Sequence, residues 1–314
     1  MSRRNIEAWL LRLALPEPVT ATDLPPLVAN ELACLGEMAC QHGVLPAVVM
    51  NAARLIPHDL SALRRPLVAA TGFAMMLRLR LPPILQALRE HGVRAVVLRG
   101  PEFADRLYPE PGLRLFTDLD ILVPRAAMET AGAALRRLGY QLLTLKHLKH
   151  TTPYGEQLWK HPDHGQEQVE IHWNLVNSPA LQRGVSVELA DLQFDSATGQ
   201  LTPASLLLIA AVHGATSHSF DRLQILCDIR QIAHQVVDDD YLASVCQRTG
   251  SAFSVQTGLM LAERAFGDDA CRRLRERLGH AAPCWLLTPR AVLRSNKPLN
   301  KFRRQLFREI LKRR

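Results

Sequence analysis

The chain has 314 residues, nearly half apolar and about a fifth charged, which is enough to bury a core in one large domain or two modest ones. Its net charge of +8 sits at one end. Residues 290–314 carry ten Lys or Arg against one Glu, which leaves the remainder near −1, so the basic pI is no sign of a nucleic-acid-binding body. No uninterrupted apolar run approaches the ~18 residues of a membrane span. "AWLLRLAL" is broken by Arg12 and lacks a small-residue cleavage site, which argues against a secretory leader. Six cysteines (34, 40, 227, 246, 271, 284) form no CxxC pair, so neither a zinc site nor a disulfide framework is expected, and reduced thiols in a cytoplasmic protein fit best.

Residues 1–92 read as a helical segment. "DLPPLVANELACLGEMACQHGV" has helical apolar spacing with Asp23 as its cap, and "LRRPLVAATGFAMMLRLRLPPILQALREHG" continues to a stop at Gly92. The texture then changes. "VRAVVLRG" (93–100) reads as a buried strand ending in glycine, and "PEFADRLYPEPG" as a short helix with Pro101 at its first position. "TDLDILV" is a second strand, "PRAAMETAGAALRRLG" a helix stopping at Gly139, and "YQLLTLKHL" a third strand. "PYGEQLWK" and "QVEIHWNLV" are further strands around the turn "HPDHGQE", whose His161 and His164 are turn residues. Helical texture returns from Thr202 in "PASLLLIAAVHGATSHSF", "DRLQILCDIRQIAHQVV" and "DDDYLASVCQRTGSAFSVQTGLMLAERAFG", the last opening on an acidic cap. The expected fold is α+β: a core at 93–185 between helical segments 1–92 and 186–289, then a basic amphipathic tail at 290–314. In "KFRRQLFREILKRR" that tail sets Phe302, Leu306, Phe307, Ile310 and Leu311 on one helical face.

The chemistry concentrates in "LRLFTDLDILVPR" (113–125). Side chains two apart on a strand share a face, so Asp118 and Asp120 point the same way, about 6–7 Å apart along the chain. Two carboxylates held that way repel unless a cation lies between them, and hard oxygen ligands on a rigid element suit Mg²⁺ or Mn²⁺. Upstream, Gly100 ends a strand at a helix start, where backbone N–H groups suit a phosphate. Phosphate turn and metal-binding acids together are the equipment of phosphoryl or nucleotidyl transfer. Glu170, alternating with apolar residues in "QVEIHWNLV", is the candidate third carboxylate and the base for an acceptor hydroxyl. His172 shares its face, as a neighbour of the metal site or a satisfied core histidine.

This order of pieces resembles the polymerase-β-type nucleotidyltransferase superfamily, and most closely a poorly characterised bacterial nucleotidyltransferase family. The shared pieces stand here as "VVLRG", "RLYPEPGLR", "DLDILV" and "VEIHW", followed by His213, Arg222-Leu223 and Asp228 in helices; the likeness covers residues 60–235. The resemblance implies a nucleotidyltransferase-like mixed sheet and an NTP substrate. It implies two Mg²⁺ or Mn²⁺ ions on Asp118 and Asp120, with Glu170 on the catalytic one, and phosphate contact by Arg99, Gly100 and Arg114. His172, His213, Arg222 and Asp228 would line an acceptor pocket. Three features depart from the pattern, one being a spacer from the Gly100 turn to Asp118 longer than in compact members. Gly100 is followed by Pro101 rather than Ser or Gly, which removes a hydroxyl and an N–H, and Arg99 stands where Lys is common.

Bland alternatives remain open beside these assignments. Arg99 and Arg114 would equally pair with Glu102 and Glu110, Tyr108 would pack the short helix, and His213 would be a core histidine. The acceptor is unspecified: a small molecule, sugar, peptide or protein. Two other readings compete with the enzyme. One is a catalytically silent nucleotide- or partner-binding protein of the same fold. The other is an adaptor whose basic tail meets a membrane surface or nucleic acid.

Overall fold

The computed structural model describes residues 3–56, 60–143, 154–279 and 282–313. Helices α1 (Arg3–Leu13), α2 (Ala29–Gln41) and α3 (Leu45–Leu55) come first. Asp23 does not cap α2. The residue before a proline avoids helical backbone, and Pro25-Pro26 push the start to Ala29, where the Glu31 carboxylate accepts from the Val28 N–H at 3.2 Å. Helix α4 (Ser61–Glu90) runs for 30 residues through Pro66, Pro82 and Pro83. Its Leu77, Ile84 and Leu88 are buried while Val68, Met75 and Leu79 face out. By length and composition the stretch Leu63–Glu90 is apolar enough to cross a membrane, which inspection of uninterrupted runs had not shown because Arg residues break them up.

The α+β centre follows as expected in kind: β1 (Val96–Val97), α5 (Pro101–Leu107), β2 (Leu119–Leu122), α6 (Met128–Arg137), β3 (Gln141–Leu142), β4 (Glu156–Lys160) and β5 (Val169–His172). Strand β1 is shorter than its β-branched run suggested, and residues 144–148 of "YQLLTLKHL" lie outside the described residues. The sheet order is β1-β2-β5-β4-β3. Only β2 and β5 pair in parallel; β1 with β2, β5 with β4 and β4 with β3 are antiparallel.

Beyond it come α7 (Pro179–Gln182), α8 (Pro203–His213), a π-helical turn over Gly214–His218, and α9 (Leu223–Ala233). Helices α10 (Asp239–Arg248), α11 (Ala252–Phe266), α12 (Asp269–Leu278), α13 (Pro289–Leu293) and α14 (Pro298–Arg313) complete the order. Asp238 does cap α10, accepting from the Tyr241 N–H.

The pleat sorts the sheet's two faces into two cores. Leu119 and Ile121 of β2, Val169 and Ile171 of β5 and Trp159 of β4 pack with α4 and α6. Leu122, on the opposite face, joins a larger core shared by α1–α3 and the helices from α8 onward. The residue that ends α13 reaches back to the first helix there: Arg294 donates to the Glu7 carboxylate at 2.6 and 2.8 Å. Helix α14 docks through buried Phe307 and Leu311, with Phe307 stacked on Phe253 at 5.6 Å between centroids. Phe302 and Leu306, expected on the docking face, are exposed, because the helix turns the row Asn300, Arg304, Phe307 and Leu311 to the body and leaves those two on its flank.

Candidate active site

Strand register builds the site. In the parallel β2/β5 pair Asp120 lies opposite Glu170, and Leu122 opposite His172. Because Leu119, Ile121, Val169 and Ile171 point into the core under α4 and α6, Asp120, Glu170 and His172 must point to the other face, toward α8. Asp118, one residue outside the paired strand, lines the same space. The antiparallel β4/β5 pairing adds an acid absent from the sequence-based assignment, since Glu156 stands opposite His172. Its signal was present: residues 156 and 172 are equidistant from His164, in the middle of the turn that joins the two strands.

Four acids in one half-buried space need cations. Arg99 Nη2 lies 2.6 Å from Asp120 Oδ1, and His172 Nε2 lies 3.0 Å from the same oxygen and 3.5 Å from Glu170 Oε2. His172 Nδ1 is 3.5 Å from Glu156 Oε2, within ion-pair reach but without hydrogen-bond geometry. Burial alone would push His172 toward neutrality, but hydrogen bonds to Asp120 and Glu170 raise it to about 10, so it is an imidazolium. Burial would also raise Asp120, and Arg99 followed by His172 overrides it and holds the carboxylate well below its usual range. Among the described residues Asp118 has no such close partner. Burial, then the charge of Asp120, lift it to about 7. Glu156 rises to about 7 through burial and the neighbouring Glu170. His213 goes the other way, pushed down by burial and then by Arg99. Arg99 Nη1 donates to His213 Nε2, which places this neutral ring's proton on Nδ1.

The ligand atoms of Asp120, Glu170 and His172 all lie within 4.8 Å of one another; Asp118 stands beside this trio rather than in it. The donor set fits a divalent cation: it is rich in hard oxygen, its two closest acids share a strand register, and positive charge already fills it. Arg99 and His172 stand in for that charge, and Arg99 would have to release Asp120 for an ion to bind.

The glycine turn is built as the sequence suggested, though with fewer donors. Gly100 adopts φ +46° and ψ −113°, a conformation closed to side chains, and caps α5. Pro101 has no N–H, and the Glu102 N–H is already given to the Arg99 carbonyl at 2.9 Å. Arg114, expected on phosphate, forms a two-pronged pair with Asp228 at 2.8 Å on each prong and also donates to the Gly100 carbonyl at 3.3 Å. Tyr108 donates its hydroxyl to the same Asp228 carboxylate at 2.8 Å, so it packs and bonds rather than stacking on a base. Arg114 and Asp228 are thus engaged with each other, and both line the cavity beside the turn. Arg99 contacts Asp120 and His213, not Glu102. Arg222 pairs with Asp221 at 3.3 Å and keeps an exposed guanidinium beside the turn.

Two cavities meet here. The first, about 240 Å³, holds Gly100, Arg114, Asp120, Arg222 and Asp228. The second, about 230 Å³, holds Glu156, Glu170 and His172. Arg99, Asp118, His213 and His218 line both. His218, whose ring meets that of His213 edge-on at 4.7 Å, is aimed by the π-helical turn.

An α+β protein that gathers carboxylates on neighbouring strands beside a glycine turn has the architecture of the nucleotidyltransferase class. The comparison with protein families is direct: the family described as "Uncharacterised nucleotidyltransferase" matches residues 29–267, and this chain belongs to it. No curated protein and no solved structure matches the chain.

Proposed function

We propose that this chain transfers a nucleoside monophosphate from an NTP to an acceptor hydroxyl and releases pyrophosphate. The observation that carries it is the β2/β5 register, which sets Asp120 against Glu170 with Asp118 on the same side. Asp118, Asp120 and Glu170 would hold Mg²⁺ or Mn²⁺. When bound, such ions neutralise the charge developing on the phosphates. Around them the chain's own groups act. The Gly100 turn, Arg99 and exposed Arg222 cradle the triphosphate in the first cavity. Glu170, in the second, takes the acceptor's proton. Neutral His213 holds Arg99 in place by accepting from it.

The test incubates the protein with NTPs labelled in the α-phosphate, Mg²⁺ and host extract. Label should move to an acceptor, disappear with chelator, return with Mg²⁺ or Mn²⁺, and be abolished in Asp118→Asn and Asp120→Asn. Absence of NTP binding by calorimetry, with and without metal, would refute the reading. A nucleotide-binding relative without turnover is the second reading, favoured by the Arg99–Asp120 pair and by Pro101. It requires NTP binding with no label transfer in any extract.

A further inference from the structure

Resting on that transferase reading, we propose that the cavity beneath α14 is the acceptor subsite. It takes a small hydroxyl-bearing molecule with an anionic group, which Arg308 holds. The two cavities at Asp118 are not equivalent. The glycine turn lines only the first, while Glu170 lines only the second. Phosphoryl transfer in line requires the acceptor to arrive opposite the leaving pyrophosphate, so the acceptor comes from the Glu170 side. There the second cavity continues into a third of about 590 Å³, sharing Glu156, Asn177 and Ser217 with it. The third cavity is walled by α14 through Gln305, Arg308, Glu309 and Lys312.

Its chemistry is polar and unsatisfied. The Asn177 Oδ1 at the junction is buried without a hydrogen-bond partner. Lys312 is paired with Glu309 at 2.6 Å, but among the described residues no carboxylate lies within ion-pair distance of Arg308. Among the described residues Arg308 donates only to the Thr216 carbonyl, at 2.8 Å, leaving most of its fork open to a phosphate or carboxylate. The wall is also held under backbone strain. Ser219 and Phe220 adopt φ 49° and 54°, and a bulky residue there persists only when its surroundings enforce it. Phe220 is fully buried 6.0 Å from the Phe307 ring, so the docking of α14 and the placement of Ser217 are tied together. Helix α14 lies beyond the residues 29–267 that the family model matches.

In the step this implies, the acceptor O–H gives its proton to the Glu170 carboxylate and its oxygen bonds to the α-phosphorus. The bond from that phosphorus to the bridging oxygen breaks, and its electron pair leaves with pyrophosphate toward the first cavity.

The test compares the wild type with Arg308→Gln and Arg308→Glu at this exposed site. Label transfer in extract should fall at least tenfold while NTP affinity stays within twofold. Calorimetry with glucose 6-phosphate, gluconate and glucose as probes should show binding of a charged probe, weakened tenfold or more in both variants, and none of glucose. Unchanged label transfer in the variants overturns the subsite, as does a parallel loss of NTP affinity. If the wild type moves no label, the transferase reading fails, and probe binding alone then decides: no charged probe bound, or binding indifferent to Arg308, overturns the subsite.

Discussion

Replacing Arg114 with Leu tests whether that residue grips phosphate or shapes the turn. Asp228 is only 3% exposed and accepts three hydrogen bonds, two from Arg114 and one from Tyr108. Removing one partner of such a buried pair costs about 3–5 kcal/mol, because the other charge stays desolvated and unpaired. For a chain this long, at roughly 2 °C per kcal/mol, that is a loss of about 6–10 °C in Tm. Arg114→Lys should fall in between, since an ammonium cannot reproduce the two-pronged contact. The double change Arg114→Leu with Asp228→Leu should recover most of the loss. What it leaves is about 1 kcal/mol for the stranded Tyr108 hydroxyl, which Tyr108→Phe should relieve. Urea titration of the single, double and triple variants gives the coupling energy directly. If Arg114→Leu holds its Tm within about 2 °C, less than one broken buried pair requires, while NTP affinity drops tenfold, the guanidinium belongs to the nucleotide and this account of the pair is wrong.

Two further outcomes follow from single residues. Gly100→Ala forces a side chain into φ +46°, where the added carbon also meets the Phe116 ring at 3.4 Å; it should cost about 1–3 kcal/mol in urea titration and weaken NTP binding. An unchanged midpoint would mean that the turn relaxes freely. His42 is fully buried, with Nε2 3.4 Å from the Leu293 carbonyl, and burial lowers its pKa below the ordinary 6.5 against the weaker pull of that carbonyl and Asp221. The unfolded chain therefore takes up this proton first, and stability must fall as pH drops below about 6.5, down to the lowered folded value. The decline in Tm between pH 7 and 5 should be shallower in His42→Gln; an identical slope removes His42 from the acid response.

Much of this was legible in sequence, for reasons that can be named. Asp118 and Asp120 stood out because strands are read in steps of two, and apolar neighbours left one face for acids. Gly100 and Pro101 marked a helix start correctly because both act on local backbone. What could not be read was partner choice across the chain. Arg114 met Asp228, 114 residues away, rather than Glu110. Arg99 met Asp120 and His213 rather than Glu102. A guanidinium pairs with whichever carboxylate is buried within reach, and periodicity carries no such distance. The π-helical turn was hidden for a related reason. Its strain at Ser219 and Phe220 is held by packing on Phe307, a residue whose place at the core depends on the docked last helix.

The same logic explains why carboxylates are built into a strand that looks buried. Strand β2 has apolar neighbours on both sides of the sheet, with Ile121 in one core and Leu122 in the other. A carboxylate at such a seam is desolvated, and its charge survives only if a cation is fixed beside it. Arg99 and His172 fill that need for Asp120, while Asp118, with no contact of that kind, sits near neutrality in its titration. The imbalance between two acids two residues apart is what would make the site responsive to a bound cation. For a cation to bind, Arg99 would have to yield, and His213, held neutral by burial, would be the acceptor that keeps its other nitrogen oriented.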